Sequence, residues 1–242
     1  MTIEKSATVG EIARNLPSAA RFFEKAGLDY CCGGNLSLEE ACLEQGLDVT
    51  TVIASLETIQ DLENLSGSGQ NWNFEPLPNL VRHIVDKHHV VVRQEVPRMV
   101  MLIDKMCTAH GEKRPEFLEV QKLIAELKAE LDAHLQKEEA VLFPYVQQLE
   151  RSLEHSAPVP DSCFGTVRNP IAVMENEHEN AGAMLATIRG HLTDRTGCPT
   201  CLEFFQTFDN FEADLHEHIH LENNILFPRT IELEAAAANR QS

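Results

Sequence analysis

Aromatic residues are scarce in this chain, at 6% of 242 residues with one Trp, against 43% hydrophobic residues overall. Period-two alternation of apolar and polar residues is essentially absent too, which disfavours a β-sandwich and suits an all-helical protein. Positive charge is in short supply. Twenty Lys and Arg stand against 38 Asp and Glu, a formal net charge of −18. That balance argues against a nucleic-acid backbone or an anionic membrane as the main partner. No run approaches the roughly 18 apolar residues a bilayer span needs. The opening "MTIEKSATVGEIARNL" also lacks the apolar stretch of a secretory signal. Cytoplasmic placement is therefore expected, with the seven cysteines mostly reduced. An odd number is poor disulfide arithmetic, which leaves metal, redox or plain burial as their roles.

What is present is helical signal in two blocks. Residues 1–65 read as a small domain of short helices. Thr8 with Glu11 and Ser37 with Glu40 fit the capping box, and Gly27, Gly33-Gly34 and Gly46 read as stops. "SGSGQNWNFEP", residues 66–76, reads as a flexible linker. Residues 77–235 then carry four long amphipathic segments, the natural ingredients of a four-helix bundle. They run from about Leu77 to Cys107 (with Pro97 as a potential bend), Glu116 to Leu149, Asn169-Pro170 to Leu192, and Thr200…Glu203 to Glu232.

Each bundle segment has an apolar stripe interrupted at one level. The second reads Val120, Ile124, Leu127, Leu131, His134, Glu138, Val141, Tyr145. The third reads Ile171, Met174, His178, Ala181, Leu185, Ile188, and the fourth Phe208, Phe211, Leu215, His218, Glu222, Ile225. "HLQKEEAVLFP" and "HIHLENNILFP" repeat His, Glu, Phe and Pro at the same offsets. On the first segment His83, His88 and His89 compete. The register Val85, His89, Val92, Val96, Met99, Ile103 stays apolar, whereas the one through His88 meets Glu95. Even so, His88 sits locally among Val81, Ile84, Val85 and Val92, so it remains a rival to the favoured His89.

A His on an apolar stripe is more often a satisfied core residue than a ligand, and one His-x-x-x-Glu pair is commonly a surface pair. Four stripes failing at one level are harder to explain that way. At i,i+4 both groups project from one helix face toward the bundle axis. A buried carboxylate without a partner costs several kcal/mol, so two of them among four imidazoles need positive charge. Two metal ions supply it, with carboxylates able to bridge them and two imidazoles for each. Iron, manganese and zinc all suit such donors. His110, His155, His191, His216 and His220 read as surface or supporting residues.

A second signature is "DYCCGG", with vicinal Cys31 and Cys32 ahead of two glycines. With "YCCGG", "HLQKEEAVLFP", "HIHLENNILFP" and "MENEHENAG" together, the chain resembles the RIC (repair of iron centres) family over nearly its whole length. These are hemerythrin-like di-iron proteins of bacterial nitrosative-stress defence, with an ScdA-type N-terminal domain. The resemblance implies a hemerythrin-like four-helix bundle holding two iron ions, oxo- and carboxylate-bridged, on His89, His134, Glu138, His178, His218 and Glu222. It implies a supporting or channel role for Glu177, and redox thiols at Cys31 and Cys32. It further implies repair of iron–sulfur clusters by iron donation or by reaction with nitric oxide. The partners would be nitric oxide and iron–sulfur or cluster-assembly proteins, with a homodimer left open. The alternative is a nitric oxide or dioxygen binding or sensing protein of hemerythrin type. "CPTC", Cys198 to Cys201, has no counterpart in that pattern and reads as an interhelical turn.

Overall fold

The computed structural model describes residues 2–66, 71–155, 157 and 160–239, and among these every regular element is helical. Helix α1 (Val9–Asn15) opens on a complete capping box between Thr8 and Glu11, and α3 (Leu38–Glu44) on one between Ser37 and Glu40. The two caps meet through an isolated antiparallel bridge. Helix α2 (Ala20–Ala26) stops at Gly27 in the left-handed region, φ +69°, as its sequence predicts. With α4 (Val49–Ser66) these elements close over Val9, Ile12, Phe23, Leu38 and Leu56. Gly33 and Gly34 end no helix, contrary to expectation. They lie in the loop between α2 and α3, where a side chain at Gly34 would meet the Asn224 amide at 2.9 Å.

The first bundle helix comprises α5 (Leu77–His83), a π-helical turn (Ile84–His89) and α6 (Val90–His110), with Pro97 inside α6. The second comprises α7 (Glu116–Lys137), a π turn (Glu138–Leu142) and α8 (Phe143–Glu154). The third is α9 (Arg168–His191). The fourth comprises α10 (Pro199–Leu221), a π turn (Glu222–Leu226) and α11 (Phe227–Asn239). Helix α6 packs against α7 and α10, and α7 against α9. Two expected helix starts are corrected. Helix α9 begins at Arg168 with Val167 as its cap, and Glu234 from α11 accepts the Val167 amide. Helix α10 begins two residues earlier than a Thr200 cap would place it, because Cys198 caps it and Pro199 needs no amide partner at its first position.

The π turns change the registers read from sequence. Each inserts a residue into the helical ladder, so the apolar stripe shifts by one position beyond it. Val141, expected inside, is 41% exposed, and Leu142 takes its place at 1%. The same device in the first helix buries both His88 and His89 completely.

The bundle interior has two apolar layers. One holds Val96, Ile103, Ile124, Leu127, Phe204, Phe208 and Phe211. The other holds Leu80, Ile84, Val146, Met174, Leu226 and Phe227. Between them lies the level at which the stripes turn polar.

Residues 67–70 of the expected linker fall outside the described residues. From residue 71 onward the chain is tied down, since Arg229 donates to the carbonyls of Trp72 and Glu75, and Asn73 to that of Arg14. The N-terminal part rests on the bundle through Asn224, whose amide donates to the Tyr30 carbonyl at 3.0 Å, and through His216 against Glu24 at 2.8 Å. No described helix is long and apolar enough to cross a membrane.

Candidate metal centre

At the polar level, His89, Glu138, His218 and Glu222 form one buried cluster, and His134, Glu138, His178 and Glu222 another, with donor atoms in each within 4.8 Å of one another. All six residues expected from the stripes are thus brought together, and Glu138 and Glu222 belong to both clusters. Within the pairs, Nε2 of His89 and of His134 each lie 3.3 Å from a Glu138 oxygen. Nε2 of His178 and of His218 each lie 3.1 Å from a Glu222 oxygen. None of the four carboxylate oxygens has a hydrogen-bond partner, although both residues are wholly buried.

Leaving two carboxylates this way would cost several kcal/mol each. Nε2 of His134 also faces Nε2 of His178 at 3.1 Å, two ring nitrogens pointed at the same space. Donors bonded at about 2.1 Å to one ion sit about 3 Å apart at right angles, the spacing seen here. The orphaned carboxylates, the facing imidazoles and the shared glutamates fit a pair of ions. The six residues could together hold two metal ions.

The outer nitrogens are held as well. Nδ1 of His89 donates to Glu139 at 2.6 Å, and Arg93 donates to the same oxygen. Nδ1 of His134 donates to Glu177 at 2.9 Å, and Lys137 pairs with Glu177. Nδ1 of His178 donates to Asn223 at 2.8 Å. These contacts orient each ring so that Nε2 faces inward, and they raise its basicity. His218 has no such partner at Nδ1. Its ring is fixed by packing against His88, with centroids 5.6 Å apart and planes 12° from parallel.

Sequence reasoning placed Glu177 near the site but missed Glu139, Arg93, Lys137 and Asn223. "KEEA" and "LENN" carry Lys137, Glu139 and Asn223, whereas Arg93 leaves no such trace. His88, the rival ligand, is in neither cluster. Its Nδ1 lies 3.0 Å from Asp214.

The protein groups alone show how strongly the site favours positive charge. Burial opposes a charged His134, but Glu138 and Glu222 outweigh it and push that imidazole up to about 9. Burial likewise opposes charge on His89, and Glu138 again raises it. Burial would raise Glu222, yet His218 and His178 hold it well below the usual carboxylate range. His218 is lowered, because its complete burial exceeds the attraction of Glu222.

Cys31 and Cys32 are adjacent to this constellation and outside it. The Cys31 carbonyl accepts from Asn223 at 3.2 Å, and the Cys32 thiol points at the His178 carbonyl at 3.6 Å. Cys31 is buried, and its thiol is pushed well up by Cys32 and by burial. Neither feature suits a thiolate exposed to partners.

A helical bundle with two His/Glu clusters sharing two carboxylates is the architecture of a hemerythrin-type di-metal protein. Residues 80–230 match the hemerythrin HHE cation-binding domain, and residues 5–60 match ScdA_N, a domain of unknown function. The chain is 34% identical over 227 residues to the iron-sulfur cluster repair protein YtfE of Edwardsiella ictaluri, covering 92% of this chain and 96% of that one. It is 33% identical over 230 residues to the protein of that name from Escherichia coli O81, and 32% over 228 residues to that from Enterobacter sp., with the same coverage. The chain belongs to the YtfE family of hemerythrin-domain proteins.

Proposed function

We propose that His89, His134, Glu138, His178, His218 and Glu222 hold two iron ions, and that the protein serves the repair of damaged iron–sulfur clusters. The observation that carries this reading is the presence of Glu138 and Glu222 in both donor clusters. Two carboxylates and two imidazoles around each position suit iron, and a set rich in nitrogen leaves room for a further ligand. When bound, the ions supply Lewis acidity, redox capacity and a reserve of iron that can be passed on. The protein's part is to orient the imidazoles through Glu139, Glu177 and Asn223, and to shield the site with Leu131, Met174 and Phe227. The cluster-repair role comes from the named relatives at about one-third identity over nearly the full length. Iron–sulfur proteins are accordingly the proposed partners, and iron is then cargo as much as cofactor.

A pocket beside His134, His178 and His218 favours a second use of the same centre. Leu131, Ala181, Leu215 and Ile219 form its apolar wall. Such a wall admits an uncharged diatomic such as nitric oxide more readily than an anion.

The test is anaerobic incubation of the iron-loaded protein with an iron–sulfur enzyme whose cluster has been damaged by nitric oxide. Recovery of cluster absorbance and of the client's activity is expected, with loss of both when Glu138→Leu and Glu222→Leu are combined. Equal recovery with that double variant would overturn the reading.

A further inference from the structure

The geometry points to a second chemical site, a redox-active dithiol formed by Cys198 and Cys201 that undergoes thiol–disulfide exchange with low-molecular-weight disulfides. It lies at one end of the bundle, away from the metal centre. From Cys201 to His218 along α10 is about 25 Å of helix at 1.5 Å per residue. The two sites therefore share no residue.

Three features mark this pair, and the His110 contact and the loop shaped around it are not shared by Cys31 and Cys32. The sulfurs are 3.4 Å apart, and Nε2 of His110, from the end of α6, lies 3.3 Å from Cys198 Sγ. The thiols are unequal in access, because Cys198 is part-exposed at the cap of α10 whereas Cys201 is 1% exposed. The loop before α10 is also shaped around the pair. At Gly197, φ +150°, an added Cβ would come within 3.0 Å of Cys201 Sγ, so only glycine leaves the sulfurs room. Arg114 ties the same loop down by donating to the carbonyls of Asp194 and Thr196, at 2.6 and 2.9 Å.

Electrostatics divides the roles. His110, then the Cys201 and Thr200 amides at the helix N-terminus, bring the Cys198 thiol down to about 6, although no hydrogen bond of full capping geometry closes. Burial and the neighbouring Cys198 push Cys201 up. The other charged groups at this loop are Asp194, Arg114, which is paired with Glu116, and Arg195, which is paired with Asp209. An accessible, ionised attacking sulfur ahead of a buried resolving one is the arrangement that exchange requires.

The step balances as follows. The Cys198 thiolate attacks one sulfur of a disulfide RSSR, the S–S bond breaks, and RS⁻ leaves to take a proton from water. Cys201 then gives up its proton, attacks the Cys198 sulfur of the mixed disulfide and expels the second RS⁻, which is protonated in turn. Two electrons pass from the thiolate–thiol pair to RSSR, one proton comes from Cys201 and one from solvent, giving two RSH and a Cys198–Cys201 disulfide.

The full-length, metal-loaded protein should be incubated with glutathione disulfide, quenched with a maleimide and mapped by peptide mass. The expected products are a Cys198–Cys201 linkage in the native chain, a glutathione adduct on Cys198 in Cys201→Ser, and neither in Cys198→Ser. In the native chain at pH 6.5, Cys198 should alkylate about tenfold faster than in the denatured chain. His110→Gln should move the midpoint of its alkylation profile up toward the ordinary thiol value of about 8.5. No linkage with glutathione disulfide, or a profile like the denatured chain's, would overturn the proposal. So would one stoichiometric zinc per chain that is lost in Cys198→Ser and His110→Gln, because the trio would then be a cation site.

Discussion

His178 donates from Nδ1 to the Asn223 side chain at 2.8 Å, and the amide of the same Asn223 donates to the Cys31 carbonyl at 3.2 Å. One side chain thus orients a proposed metal ligand and holds the loop of the N-terminal domain. Replacing Asn223 by Ala should weaken metal binding about 10- to 100-fold, the usual loss for such a partner. Competition against a chromophoric chelator measures it, and unchanged affinity would show that packing alone positions His178.

Glu138→Leu and Glu222→Leu should each reduce bound iron below two per chain. The metal-free forms should nevertheless gain stability, by about 1 kcal/mol, because a wholly buried carboxylate whose oxygens accept no hydrogen bond gives way to an apolar side chain while the facing imidazoles can shed their protons. Metal analysis together with thermal melting of the metal-free proteins tests both halves. A variant that keeps two irons would remove that glutamate from the ligand set.

The first bundle helix allows a sharper comparison. Both His88 and His89 are buried, but only His89 shares a donor cluster with Glu138 and Glu222. His89→Ala should therefore lower iron content or alter the iron spectrum more than His88→Ala. The reverse order would make His88 the ligand.

Glu150 gives a pH dependence remote from the metal. Burial raises its carboxyl, the Leu77 amide donates to one oxygen at 3.2 Å, and the other oxygen has no partner. A raised folded-state value means the native chain holds this proton more tightly than the unfolded chain. The resulting stability is present below the unfolded value of about 4.3 and disappears as pH rises through the folded one. Glu150→Gln should therefore match the native chain near pH 4 and exceed its stability at pH 7 by well under about 1 kcal/mol, since the group is half-buried and solvent screens it. Denaturant midpoints at the two pH values check this, and a gain of equal size at both would mean that the charge is not its source.

Much of this protein is legible without coordinates. The capping boxes at Thr8 and Ser37 and the left-handed stop at Gly27 depend on neighbours within a few residues, so the local sequence determines them. The stripes of α9 and α10 keep one register along an uninterrupted helix. The levels of His178 and His218 therefore follow from spacing alone. The composition and the repeated His-x-x-x-Glu pair were enough to expect a helical bundle with a polar, charged layer.

Tertiary structure decided what spacing could not. The π turns at Ile84–His89, Glu138–Leu142 and Glu222–Leu226 leave no distinct residue pattern, because the extra residue is stabilised by what it brings into the centre. They exchange Val141 for Leu142 in the core and bury His88 beside His89. The groups that orient the imidazoles come from other helices, as Glu177 does for His134 and Asn223 for His178. The pairing of His110 with Cys198 spans 88 residues, and nothing near "CPTC" announces it. Side-chain chemistry and helical period are local and can be read along the chain, whereas the facing partner of a buried polar atom is set only when the helices pack.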